Sequence, residues 1–275
     1  MTMTAIDTAF ANFPFACSLT PGLEVIERID STNVELARRE RLAPQPHFAS
    51  LVTLEQTAGR GRLGRSWVAP AGASVALSVV LRPTSAPQSK WGLVTLLGGL
   101  AAREAIATQL PGADVALKWP NDVLIGGRKV AGVLAQLVPE TGAIVLGVGI
   151  NTAMTTEQLP VPTATSIAIE SGATHGRDAC RLADDVVTEY LVALAGLIAR
   201  FEAARGDIDL AGLRDQLESA CGTLGELVRV ELPGGEDVRG QAIGIGADGS
   251  LLIATPDGGS PAEVFAGDVT HLRHV

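Results

Sequence analysis

From Glu55 to Trp67 the chain reads Glu-Gln-Thr-Ala-Gly-Arg-Gly-Arg-Leu-Gly-Arg-Ser-Trp, so Arg60, Arg62 and Arg65 are interleaved with Gly59, Gly61 and Gly64. Glycine admits φ > 0 and lets the backbone come close to a ligand, so successive N–H groups can turn toward one anion. Arginine adds a permanently charged planar fork that matches carboxylate and phosphate oxygens. The stretch therefore reads as an anion-binding loop, fed by a strand over Ser50 to Gln56 and left by a strand over Ser74 to Leu81. Gly59 to Ser66 nearly spells a phosphate-binding P-loop, but Arg65 stands at the lysine position. A P-loop must also open a helix, and Pro70 and Gly72 oppose one here. An Arg-Gly grip on nucleic acid would want a basic surface around it. The formal net charge of -9 over 275 residues does not supply one.

A chain of this length can bury one sizeable core and add a small second domain. Hydrophobic residues at 47% and charged residues at 19% describe a folded chain and exclude a disordered one. Its acidity argues against general binding to DNA or to acidic membranes. Cys17, Cys180 and Cys221 are odd in number and widely spaced, which predicts free thiols in a reducing cytoplasm. No run is long and apolar enough to span a bilayer. Residues Met1 to Gly22 hold no Lys or Arg, so the basic region of a signal peptide is missing. They read as a loosely ordered tail, too short for a helix-turn-helix.

Leu23 to Ile29 alternates like a strand and ends at Asp30-Ser31-Thr32-Asn33. Thr32-x-x-Glu35 is a capping box, which predicts a helix from Asn33 to about Arg41. Ser31 and Thr32 then either only cap that helix or present its N-terminus to a ligand. Lys90 to Leu110 is helical, with Gly98 and Gly99 where it packs closely. A strand over Val115 to Trp119 meets the second dense cluster, Lys118-Trp-Pro-Asn-Asp122, where Pro120 forces a turn and Lys118 falls at a strand end. Trp119 is open to two readings, core packing or a place in the site. Two hairpins follow, one turning at Gly126-Gly127 and one at Pro139 to Gly142 before a strand over Ala143 to Ile150. Gly147-x-Gly149 precedes Ile150-Asn151 rather than a helix, so it is not a dinucleotide fingerprint.

Apolar spacing predicts helices over Arg177 to Phe201 and Leu210 to Ala220, with Asp184-Asp185 on a solvated face. Composition then shifts. Gly222 to Val275 holds short β-rich runs (Leu227 to Leu232, Val238 to Ile245, Leu251 to Ala254, Ala262 to Ala266) split by Pro/Gly/Asp turns, the pattern of a small all-β barrel. This divides the chain into a tail over 1–22, a domain over 23–221 and a β domain over 222–275. His47 and His175 stand alone and His271-x-x-His274 lacks further ligands, so no protein-bound metal is expected. No activated nucleophile appears either.

Six clusters in order carry a resemblance: Asp30-Ser-Thr-Asn33, Gln56-x-x-Gly-Arg-Gly-Arg62, Arg65-x-Trp67, Lys118-Trp-Pro-Asn-Asp122, Lys129-x-Ala-Gly132 and Gly147-x-Gly-Ile-Asn151. Together they resemble the bacterial biotin–protein ligase family from about Leu23 to the C-terminus. The resemblance implies an α+β fold: a mixed β-sheet flanked by helices, of class II synthetase type, followed by a small SH3-like β-barrel. It implies that ATP and biotin give biotinyl-5′-AMP, and that a lysine of a biotin carboxyl carrier protein domain then takes the biotin.

The same resemblance puts Ser31, Thr32, Asn33, Gln56, Gly59, Arg60, Gly61, Arg62, Lys118 and Gly132 against biotin. It puts Arg62, Arg65, Trp67, Lys118 and Asn151 against ATP. Lys118 and Arg62 would carry the catalysis, and Gly132 would permit close backbone approach. The chemistry agrees, because joining a carboxylate to a polyanion demands fixed cations, aligned N–H groups and Mg²⁺ carried by the nucleotide. Some members add an N-terminal helix-turn-helix and repress genes. This sequence resembles the single-function type, predicting no DNA or membrane partner and a monomer or weak homodimer. A lipoate–protein ligase and a non-catalytic biotin or nucleotide binder are the rival readings.

Overall fold

The computed structural model describes residues 13–172, 178–256 and 259–272. Helix α1 (Pro14–Leu19) and strand β1 (Leu23–Val25) lead to α2 (Thr32–Leu42) and β2 (Ser50–Thr53). The Gly-Arg stretch lies between β3 (Gly59–Arg60) and β4 (Ser66–Trp67), and is followed by β5 (Val75–Leu81) and α3 (Gly92–Gln109). Strands β6 (Val115–Lys118), β7 (Asp122–Ile125), β8 (Arg128–Val138) and β9 (Ala143–Ile150) form successive hairpins. Helices α4 (Ile167–Glu170), α5 (Ala179–Ala203) and α6 (Arg214–Ala220) complete the first unit. Five strands follow: β10 (Leu227–Glu231), β11 (Asp237–Ile245), β12 (Leu251–Ala254), β13 (Ala262–Val264) and β14 (Asp268–His271).

The large sheet runs β1-β2-β5-β9-β8-β7-β6, with β1 and β2 parallel and the remaining pairs antiparallel. It is a mixed sheet flanked by helices, as expected. Because side chains alternate across a strand, its two faces separate cleanly. Leu77, Val79 and Leu81 of β5 and Leu146 and Val148 of β9 join α3 and α5 in the main core, whereas Val80 and Val145 pack with Leu36 and Ala37 of α2. Each buried Leu or Val side chain is worth roughly 1.5–3 kcal/mol over exposure. Farther along the α2 side, β5 offers Ala76 and Ser78, and β9 offers Gly147 and Gly149. Small residues there leave room for Asn33 and Trp67 to lie against the sheet, and Ala76, Gly147 and Gly149 line the floor of the cleft described below.

The smaller sheet is antiparallel throughout, in the order β13-β12-β11-β10-β14. It is the expected SH3-like unit, though β14 lies beyond the runs that composition singled out. The unit docks firmly on the first: Lys90 Nζ donates to Ala247 O at 2.7 Å and Arg214 Nη1 to Ile245 O at 2.6 Å.

Three expectations need correction. Part of the supposed loose tail, residues 14–19, is helix α1, with Phe13 and Ala16 fully buried. The cause is Asp184, which is itself buried rather than on a solvated face. Its carboxylate accepts the N–H groups of Phe15 at 3.1 Å and Ala16 at 2.9 Å, capping α1 from a distant helix. Asp185 alone behaves as a surface residue, paired with Arg181. Finally, the capping box does not form at α2: Ser31 is the N-cap without a side-chain bond, and Glu35 pairs with Arg38 and Arg39 instead. His175 and His274 lie outside the described residues.

Candidate active site

A cavity of about 340 Å³ opens over this small-residue strip of the large sheet. One end is formed by the start of α2 with Gln56. Ser31, Thr32 and Asn33 are all buried there, at 2%, 3% and 4% exposure, so their polar groups must be satisfied internally or by a ligand. Gln56 Oε1 accepts the main-chain N–H of Thr32 at 2.9 Å, which leaves its Nε2 as a donor. Asn33 reaches across the sheet to donate to Leu134 O at 3.0 Å. It fits only because Gly147 lies beneath it, where a Cβ would come within 2.1 Å of its Oδ1.

The Gly-Arg loop forms the second side. After β3 it makes a short 3-10 turn over Arg62–Gly64, with Leu63 left-handed at φ 55, and returns as β4. It therefore opens into a strand and not into a P-loop helix. The N–H groups of Gly61 and Arg65 are bound within the loop, to Arg65 O at 2.7 Å and Arg62 O at 3.1 Å. These two amides close the turn instead of facing an anion. Arg62 donates to Asn121 Oδ1 at 2.8 Å, while Arg65 is ion-paired with Asp268. Burial presses the Arg62 guanidinium below its usual range, and Asp268 and Asp122 offset that pressure. Trp67 lies flat on the floor: a Cβ on Gly149 would be 2.6 Å from its Cε2. Its Nε1 is buried without a partner, and Lys129 Nζ stands 6.0 Å from its ring.

Lys118 closes the third side from the end of β6. Behind it, Trp119 is 2% exposed; its main-chain N–H donates to Thr223 Oγ1 at 3.1 Å and its Nε1–H to Gly249 O at 2.9 Å. Of the two readings of Trp119, core packing is met, and the residue also borders the cavity. Lys118 has no side-chain hydrogen bond or ion pair among the described residues. Its charge is felt by His271, whose imidazole is pushed below the usual histidine value by burial first and by Lys118 second. Asp122 is engaged by Lys129 Nζ at 2.6 Å. Among the described residues no three His, Cys, Asp or Glu side chains group as a metal site.

A biotin–[acetyl-CoA-carboxylase] ligase of Mycobacterium tuberculosis is 38% identical to this chain over 253 residues, covering 91% of this chain and 89% of its own length. The chain belongs to the biotin–protein ligase family. Two family models match it: the biotin/lipoate A/B protein ligase family over residues 25–151, and the biotin protein ligase C terminal domain over 223–272. A biotin protein ligase of Aquifex aeolicus, solved in complex with biotin and ATP, shares the fold at a TM-score of 0.72 and 26% identity. That alignment spans 92% of this chain and 99% of the other. A bifunctional ligase/repressor of Escherichia coli is 38% identical over 133 residues, which is 47% of this chain and 40% of its own length.

In this member of the biotin–protein ligase family, Ser31, Thr32, Asn33, Gln56, Arg60 and Gly61 line the one cavity together with Arg62, Arg65, Trp67, Lys118 and Gly132. Two candidates lie outside it. Gly59 sits beneath the loop, where a Cβ would be 2.5 Å from Trp67 O. Asn151 is buried behind the floor and donates to Thr165 O at 2.9 Å. The sequence reading missed Asp268, Val269 and Thr270, which bring β14 to the cavity wall. Nothing local to that run marks it. Asn121, Asp122 and Lys129 were also passed over as site residues, although each belongs to a quoted cluster.

Proposed function

We propose that this chain joins biotin to ATP, giving biotinyl-5′-AMP and pyrophosphate, and then transfers the biotinyl group to a lysine of a biotin carboxyl carrier protein domain of acetyl-CoA carboxylase or a related carboxylase. The observation that carries this reading is a single cavity. It joins a buried hydrogen-bonding end at Ser31, Thr32, Asn33 and Gln56 to a cationic end at Arg62, Arg65 and Lys118, whose side chain has no partner among the described residues. Biotin has the matching ends, a ureido ring of donors and acceptors and a carboxylate tail.

In the first step a carboxylate oxygen attacks the α-phosphorus and pyrophosphate leaves. Two anions must meet, so the cavity's task is electrostatic and geometric. Lys118, held at a strand end with no counter-ion among the described residues, would bridge the carboxylate and the α-phosphate. Arg62 would hold the adenylate against Asn121, with Arg65 toward the outer phosphates, Arg60 toward biotin and Trp67 under the nucleotide. Gly61, Gly59 and Gly132 would allow close backbone approach, and Asn151 would brace the floor from behind. Mg²⁺ would arrive on the nucleotide, since Asp122 and Asp268 are already occupied by Lys129 and Arg65. In the second step the lysine ε-amine attacks the acyl carbon, AMP leaves, and the amine gives up its proton.

Residues 23–221 would form the catalytic unit and 222–275 the C-terminal one. The free thiols of Cys17, Cys180 and Cys221 suit a cytoplasmic location, and no described helix is long and apolar enough to cross a membrane. A monomer or weak homodimer is expected. Binding to operator DNA is not, and a gel shift with operator-like DNA and biotinyl-AMP giving a specific band would overturn that. Biotin-dependent exchange of labelled pyrophosphate into ATP tests the main proposal without any guess about the carrier. Exchange with biotin and not with lipoate is the expected result. Exchange with neither, from folded protein and Mg²⁺, would refute it.

A further inference from the structure

Ser78 lies on β5 beneath the hydrogen-bonding end of the cavity, fully buried and outside the residues that line it. Its Oγ stands 2.7 Å from Thr32 Oγ1 and 2.6 Å from Asn33 Oδ1, and a serine hydroxyl has one proton for these two contacts. The surrounding bonds decide where that proton goes. Asn33 Nδ2 donates to Leu134 O at 3.0 Å, which fixes Oδ1, an atom that can only accept, toward Ser78. If Ser78 donated to Thr32, two lone-pair oxygens would face each other at 2.6 Å in a buried site. That arrangement costs more than the long 3.3 Å contact between Thr32 Oγ1 and Gln56 Oε1 can return. Ser78 therefore donates to Asn33, and Thr32 donates to Ser78.

With its proton held in this chain, Thr32 Oγ1 has only lone pairs left for the cavity it lines. Gln56 completes the wall with its Nε2 donor, because its Oε1 accepts the Thr32 N–H at 2.9 Å. We propose that Ser78 is a specificity-determining positioning residue, which by orienting the Thr32 hydroxyl makes this wall accept ligands that present an N–H beside a C=O. This rests on the ligase reading above and deepens it. A ureido ring meets the demand, whereas a dithiolane ring such as that of lipoate has neither group. Removing the Ser78 hydroxyl takes away the acceptor of the Thr32 proton, so Thr32 is free to rotate and to serve as donor or acceptor, and the wall loses its preference.

The test is calorimetric affinity without ATP for biotin and for a biotin N-methylated on its ureido ring, with the wild type, Ser78→Ala, Thr32→Val and the double variant. The wild type is expected to favour biotin strongly. Ser78→Ala should cut the biotin-to-analogue preference by about tenfold or more, since a site built around one hydrogen bond discriminates through it. It should also raise KM for biotin in pyrophosphate exchange with little change in kcat. In the double variant the Ser78 change should add nothing to Thr32→Val. A merely structural serine would weaken both ligands equally and leave their ratio intact, which would overturn the proposal, as would additive effects in the double variant. Ser78→Cys, closer in volume and both a weak donor and a weak acceptor, should restore part of the preference. No restoration in a folded Ser78→Cys variant would also count against it. Failure of the wild type to bind biotin at all would instead refute the ligase reading.

Discussion

Lys118 and the arginine loop share one cavity, yet the first stands on a segment pinned from behind and the second on a loop largely open to solvent. Around Lys118, Leu117 O accepts from Gly222 N–H at 2.9 Å, Trp119 is bound to Thr223 and Gly249, and Asn121 Nδ2 donates to Val133 O at 3.0 Å. Both units of the molecule grip that short turn. Across from it, Leu63 is 64% exposed and Arg65's side chain 65% exposed, and the loop's outward ties are Arg62 bonds to Asn121 and, at 3.5 Å, to Gly267 O, with the Arg65–Asp268 pair. An exposed ion pair of that kind contributes at most about 1 kcal/mol. The contrast assigns different work to the two sides. A cation that must meet a reacting group within a fraction of an ångström belongs on a rigid element. Cations that must admit a large polyanion and then hold it belong on one that gives way.

The sharpest way to break this comparison is Lys118→Ala. If Lys118 is the fixed charge at the reacting atoms, exchange of pyrophosphate into ATP should fall by about 10²–10³, the scale for losing one preorganised transition-state group. The melting temperature should barely move, because the Lys118 side chain makes no bond among the described residues. A rate within tenfold of wild type would give its role to the loop. Arg62→Gly addresses the other side. It should spare folding but weaken retention of the adenylate by about a hundredfold, the loss of a charge-assisted fork. Labelling of bystander lysines in the presence of biotin and ATP reads this directly, and unchanged labelling would show that the loop is not the retaining element.

The rigidity itself can be probed at Thr223, fully buried and the acceptor for Trp119 N–H. Thr223→Val strands that donor and should cost about 1–3 kcal/mol in urea denaturation. The comparison adds a kinetic signature: kcat for exchange should drop while biotin affinity stays, since Lys118 and not the α2 end would be displaced. Equal losses in both would mean that the C-terminal unit merely stabilises the whole.

The two sides also differed in how readable they were. The loop and the Lys118 turn are written locally, in glycine, proline and charge at short spacing, and the strands that carry them follow from period-2 alternation. What could not be read was set by distant partners. Helix α1 exists because Asp184 caps it from 168 residues away, and neither residue signals the other. Strand β14 contributes Asp268 to the cavity only through docking of the C-terminal unit. The Thr32-x-x-Glu35 pattern has the spacing of a capping box, but Thr32 is drawn into bonds with Gln56 and Ser78 while Glu35 is taken by arginines. Local pattern lost there to tertiary hydrogen bonding, at the site where a ligand would bind.

The smallest expected effect is a pH dependence confined to the pinned side. His271 on β14 is half buried, and burial together with the Lys118 charge holds its imidazole below 6.5, with Glu226 opposing. A histidine depressed in the folded state binds fewer protons folded than unfolded. Its contribution is therefore present above the unfolded value and is lost as pH falls through the folded one, when a second cation is forced in beside Lys118. Urea midpoints should drop between about pH 7 and pH 5, and His271→Gln should flatten part of that slope. His47, also lowered by burial, supplies a remainder far from the cleft. If His271→Gln left the slope unchanged, Lys118 would not be near enough to charge its neighbours, and the case for a rigidly aimed lysine would weaken with it.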